Sequence, residues 1–74
     1  MILSNHICID EKIRGGKPVI KGTRVPVDLI LGKLASGMTY EEITREYDIT
    51  QNDIFSALEY ASSCIAGEEI RVVA

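Results

Sequence analysis

Two short signals, Thr39-Tyr40-Glu41-Glu42 and Thr50-Gln51-Asn52-Asp53, constrain this chain more than anything else in it. Each sets a threonine three residues ahead of a carboxylate. That is the spacing of a capping box: the hydroxyl accepts from the amide of the third helical residue, and the carboxylate accepts from the threonine's own amide. The second box, closed by the shorter aspartate, is the weaker version. Met38 and Ile43 flank the first box, and Ile49 and Ile54 the second, at the two positions where an apolar pair staples the chain into a helix. Helix starts eleven residues apart leave room for one short helix ending near Tyr47, a three-residue link Asp48-Ile49-Thr50, and a second helix. Two capped helices on so short a link read as a helix-turn-helix.

The remaining elements follow from periodicity. Ile54, Ala57, Leu58, Ala61 and Ile65 continue the last helix as an apolar stripe, which Gly67 closes. Upstream, Val27, Ile30, Leu31, Leu34 and Ala35 form a second such stripe, interrupted by Gly32 and stopped at Gly37. The first third alternates instead: Ile7 and Ile9 are spaced as in a strand, and Gly15-Gly16 breaks the run. Pro18-Val19-Ile20 and Arg24-Val25-Pro26-Val27 flank Lys21-Gly22-Thr23, where Gly22 can turn the chain and pair the flanks as a hairpin. Two prolines without amide donors place that hairpin at an edge. The tail, residues 68–74, reads as a strand or a frayed end. The expected fold is mainly α: a three-helix helix-turn-helix core at 27–66, behind a short antiparallel β-ribbon at 1–26, with a tail at 67–74. Tyr47 is expected in the core.

A length of 74 residues implies a single domain with a small core. Residues 1–6 lack the basic flank and apolar run of a leader, and no stretch is long enough to span a bilayer. Cys8 and Cys64 are too few for a disulfide framework, so reduced thiols and a cytoplasmic location are expected. Net charge is −3, but its distribution matters more. Residues 1–37 carry six cations against three carboxylates, and residues 38–74 carry two against eight. The basic half suits phosphate, while the acidic half repels it and suits a basic protein partner.

The run from Gly16 to Val27, GKPVIKGTRVPV, resembles the signature of the family of proteins of unknown function designated DUF433. The stretch Leu34–Ile43 and the segment Asp53–Ala61 resemble it too, so the likeness covers nearly the whole chain. The resemblance implies a homeodomain-like or winged-helix-like helix-turn-helix behind a β-ribbon. It also implies a predicted antitoxin of a toxin–antitoxin pair, whose usual partner is a PIN-like nuclease toxin. One departure is visible: the proline frequent between the second and third helices of the family is missing from Tyr47-Asp48-Ile49-Thr50.

Several surfaces compete for a role. In a helix-turn-helix the second helix enters the major groove, which nominates Thr50, Gln51, Asn52 and Ser56 for base contacts. Against this, no Lys or Arg stands between Thr50 and Ile65, whereas Asp53 and Glu59 do. The alternative is that Gln51 and Asn52 are simply solvated. Lys17, Lys21, Thr23 and Arg24 cluster about the ribbon turn as a second nucleic-acid candidate. Guarding of an exposed edge by lysine and proline predicts the same residues. Thr23 and Arg24 have a further structural alternative, tying the ribbon to the helices. Phe55 and Tyr60, lying off the main stripe, join Ile70 and Val72 as a candidate dimer or partner interface, unless ribbon and tail cover them.

Catalytic chemistry finds little support. Gly15-Gly16-Lys17-Pro18 lacks the first glycine and the final hydroxyl of a phosphate loop. His6, Cys8 and Cys64 fall short of a four-ligand zinc site, and Cys64 reads as packing. No nucleophile elbow accompanies the single histidine. The carboxylates read as caps and solubilising charge. The expectation is therefore a non-enzymatic binding protein without metal or cofactor. Its leading reading is an antitoxin that self-associates, sequesters a PIN-like toxin and touches DNA secondarily. The alternatives are a stand-alone DNA-binding regulator and a dimeric interaction module with no nucleic-acid role.

Overall fold

The computed structural model describes residues 6–67. Two short strands, β1 (Ile7–Cys8) and β2 (Val19–Ile20), precede three helices: α1 (Val27–Ala35), α2 (Tyr40–Tyr47) and α3 (Gln51–Ala66). The expected mainly α class, with a small antiparallel sheet at the N-terminal side, is what the chain adopts.

Both capping boxes are formed in full. Thr39 Oγ1 accepts from Glu42 N at 3.1 Å, and Glu42 Oε1 accepts from Thr39 N at 2.8 Å. Thr50 Oγ1 accepts from Asp53 N at 3.1 Å, and Asp53 Oδ2 accepts from Thr50 N at 3.0 Å. The turn between them is set by Asp48, which takes the left-handed conformation at φ 56°. Ile49 N then donates to Thr44 O at 3.2 Å, the bond from beyond the helix end to its last turn that a Schellman ending makes. So α2 stops without a proline. The turn also drops Ile49 into the interior, beside Ile54 and Ile43.

The ribbon pairs differently from the simple hairpin. The ladder joins β1 to β2, with Ile7 opposite Ile20 and Cys8 opposite Val19. The expected flanks meet over the single bridge Val19–Pro26, bracketed by Ile20 N to Val25 O and Val27 N to Pro18 O, each 2.9 Å. At that non-hydrogen-bonded position Pro26 needs no amide proton, so an edge proline fits. Thr23 N to Ile20 O at 3.0 Å closes the turn, and Gly22 holds φ 82° in its left-handed third position.

The core is a cluster of β-branched and small side chains from every element: Ile7, Ile20, Val27, Ile30, Ile43, Ile49, Ile54 and Ala57. Tyr47, Met38, Leu31, Leu34, Leu58 and Tyr60 pack on its margin half-buried, so Tyr47 borders the core and does not fill it. No polar or charged residue is buried among the described residues, as a core this small requires. Ile65, expected to complete the α3 stripe, is instead 87% exposed. No helix among the described residues is long and apolar enough to cross a membrane.

Candidate interaction surfaces

The ribbon residues divide by what they already hold. Thr23 Oγ1 donates to Ile20 O at 2.8 Å and accepts from Val25 N at 2.9 Å, so its hydroxyl is committed to the turn. Lys17 Nζ reaches Asp28 Oδ2 at 3.1 Å, across an exposed pair that ties the ribbon to the first turn of α1. Exposed pairs of this kind contribute little stability and part readily. Lys21 and Arg24 are exposed and carry no side-chain ion pair among the described residues. Among the described residues Arg24 therefore braces the ribbon through no acidic group. It acts through its backbone, its carbonyl accepting from Arg14 Nε at 3.2 Å.

Arg14 is the ribbon residue that sequence reasoning missed. Its φ of 53° begins a left-handed run with Gly15 and Gly16, and this brings its guanidinium beside Lys17, Pro26, Asp28 and Leu29 around a shallow depression. Glycines announced a bend there, but nothing in the sequence marked an arginine for positive φ.

The N-terminus of α3 is arranged differently. Gln51 and Asn52 are exposed and Ser56 is half-buried, while the Thr50 side chain is held in its cap. Asp53 completes that cap and also lies 3.6 Å from His6 Nδ1, so this end of α3 carries a fixed carboxylate. The face expected to approach a phosphodiester backbone thus begins with negative charge. Phe55, 47% exposed, meets Tyr40 edge to face at 5.6 Å. Tyr60 stands five positions further, about 140° around the helix, and packs against the core. The two aromatics therefore do not share a face. Ile70 and Val72 lie outside the described residues.

α2 presents the acidic surface. Glu41, Glu42 and Glu46 are all exposed and share an arc of about 140° with Arg45, away from the buried Ile43, and Asp48 is exposed in the turn that follows. Arg45 is the one cation between residues 38 and 67, against six carboxylates. Among the described residues no three metal-ligating side chains gather into a cluster, so these acids act as a dispersed field. Cys8 and Cys64 are half-buried free thiols.

A fourth surface lies where α3 outruns α1. Leu31, Leu58, Ala61, Ser62, Ile65 and Ala66 line a shallow groove without a charged side chain. The sequence held a signal for it, since the apolar stripe of α3 runs longer than the helix available to cover it.

Comparison with known proteins places the chain in a family of unknown function. A family model described as "Protein of unknown function (DUF433)" matches residues 7–61. A 23-residue stretch is 61% identical to an uncharacterized protein of Archaeoglobus fulgidus, covering 31% of this chain and 64% of that protein. The X-ray crystal structure of Rv2018 from Mycobacterium tuberculosis is similar with a TM-score of 0.65 and 31% identity, over 70% of this chain and 24% of that one. The chain thus spans a little under two thirds of the first relative and about a quarter of the second.

Proposed function

This chain belongs to the DUF433 family, and on that premise we propose that it is an antitoxin, which neutralises a PIN-like nuclease toxin by protein–protein contact in the cytoplasm. The observation that carries the reading is the acidic arc of α2, with Glu41, Glu42 and Glu46 turned to solvent on a capped and core-anchored helix and Asp48 exposed just beyond it. A nuclease must hold phosphate, so its substrate surface is basic. An acidic helix face complements that surface, speeds the encounter, and excludes the nucleic acid while it sits there. The partner's chemistry is therefore a cationic protein groove.

Neither the helix-turn-helix shape nor its homeodomain-like reading requires DNA. A second role, DNA contact for autoregulation, is favoured by one observation: Lys21 and Arg24 stand exposed at the ribbon turn with no ion pair among the described residues. In this reading the ribbon touches DNA and α3 does not.

Co-expression with the product of the adjacent gene tests the main reading. The two proteins are expected to co-purify, and the neighbour alone to arrest growth. A neighbour that is harmless and does not bind contradicts it. The DNA role has its own test, a mobility shift on the upstream duplex in dilute salt, with Lys21→Ala and Arg24→Ala weakening the shift. Absence of any shift removes that role and leaves the first untouched.

A further inference from the structure

Arg14 is exposed, yet its backbone holds φ 53°, a region that glycine enters freely and a side chain with a Cβ does not. Gly15 and Gly16 continue the bend at 66° and 89°. Backbone bonds close it: Gly16 N donates to Ile13 O at 3.1 Å, and Lys17 N to Arg14 O at 3.3 Å. The bend turns the Arg14 side chain back onto the ribbon, where Nε donates to Arg24 O at 3.2 Å. That uses one of the five guanidinium donors. The four on the two terminal nitrogens remain, and Arg14 forms no ion pair with a carboxylate among the described residues. Asp28, the carboxylate lining the same depression, is held by Lys17 at 3.1 Å. A strained backbone under an exposed charge serves function and not packing.

We propose that Arg14 is a phosphate-contacting residue of the ribbon, gripping the backbone of duplex DNA beside Lys21 and Arg24. The inference rests on the DNA role given to the ribbon above and adds the residue that orients its charge. The Arg24 carbonyl fixes the guanidinium, and a fork set in advance meets two phosphate oxygens at less loss of freedom than a lysine would. The ribbon offers charge here and little else. The Thr23 hydroxyl and the amides of Lys21, Thr23 and Val25 are already bonded within the chain. Arg14, Lys21 and Arg24 are spread along the ribbon with no carboxylate partner among the described residues. That suits a polymer charged at every unit better than a single acidic side chain. Contacts of this kind hold the duplex and read no bases, so Arg14 contributes affinity and not sequence choice.

Fluorescence anisotropy of the full chain on two labelled duplexes, the upstream sequence and a scrambled one, across a salt series tests this. Arg14→Gly is expected to weaken binding about tenfold in dilute salt, equally on both duplexes. The slope of log affinity against log salt should become shallower by about one, the signature of one lost phosphate contact. The urea midpoint of that variant should be no lower than the native one, because glycine takes the left-handed bend more readily. A loss of binding is then not a loss of fold. Arg14→Lys keeps the charge without the fork, and should keep the slope while losing a smaller share of the affinity. Arg45→Ala removes the same charge from exposed α2 and should leave the slope unchanged. A native chain that binds while Arg14→Gly matches it in affinity and slope overturns the proposal and leaves the DNA role standing, Arg14 then serving an acidic protein or no partner. A native chain that binds neither duplex removes the DNA role and this proposal with it.

Discussion

Thr39 and Thr50 carry the local architecture, each through one hydroxyl and one amide in a closed pair of hydrogen bonds. Replacing either by alanine should cost about 1 kcal/mol, read as a lower midpoint in urea unfolding. An unchanged midpoint would mean the boxes are ornamental. Two glycines should respond oppositely to the same substitution. A Cβ at Gly22 or at Gly32 meets nothing within 4 Å, so crowding decides neither case. Gly22 holds φ 82°, and Gly22→Ala should destabilise by about 1 kcal/mol. Gly32 sits in the interior of α1 without positive φ, and Gly32→Ala should stabilise by about 0.5–1 kcal/mol. The same urea titration checks both, and equal signs would contradict the conformational argument. At this scale the sequence was readable wherever chemistry is local. A capping threonine and its carboxylate lie three residues apart. Arg14 and Asp48 were not readable as left-handed residues, because their conformations are imposed by the pairing of the ribbon and the packing of Ile49.

At the scale of elements, burial sorts the apolar residues more strictly than periodicity does. Ile43 is fully buried on α2 and meets the cluster that joins all the helices. Ile43→Ala should cost about 2–5 kcal/mol, a large share of the total stability of a small domain. Phe55 is 47% exposed and holds one edge-to-face contact with Tyr40. Phe55→Ala should cost about 0.5–1.5 kcal/mol, which thermal melting would distinguish from the Ile43 result. The helix boundaries were legible because caps and glycines punctuate them. The strand pairing was only partly legible: alternation marked Ile7 for a strand, but a short turn favoured Pro18–Val27 as its own hairpin, and the partner of Ile20 came from thirteen residues upstream. A period of 3.6 likewise predicts a shared stripe from Ile54 to Ile65, but not which of its residues the neighbouring helix covers. That is why Ile65 reads as one more residue of the stripe and the groove went unread.

Across the whole molecule the opposed charges of the two halves become opposed surfaces, a cationic ribbon and an anionic α2. The sequence showed the imbalance, and the fold assigns it: α2 turns Glu41, Glu42 and Glu46 outward with Asp48 exposed at its end, while Lys17 is partly offset by Asp28. Which protein meets these surfaces was never in the sequence of one partner, since complementarity is a property of two. The decisive measurement is calorimetric titration of the adjacent-gene toxin with the native chain and with the double substitution Glu41→Lys and Glu46→Lys, at low and at high salt. Both positions are exposed and neither closes the capping box, so the fold should persist. Tight binding that weakens as salt rises, falls about tenfold or more in the double variant, and parallels the release of nuclease activity is the predicted result. No binding, or binding that is equal in the two proteins at both salts, would contradict the acidic face as the working surface of this chain.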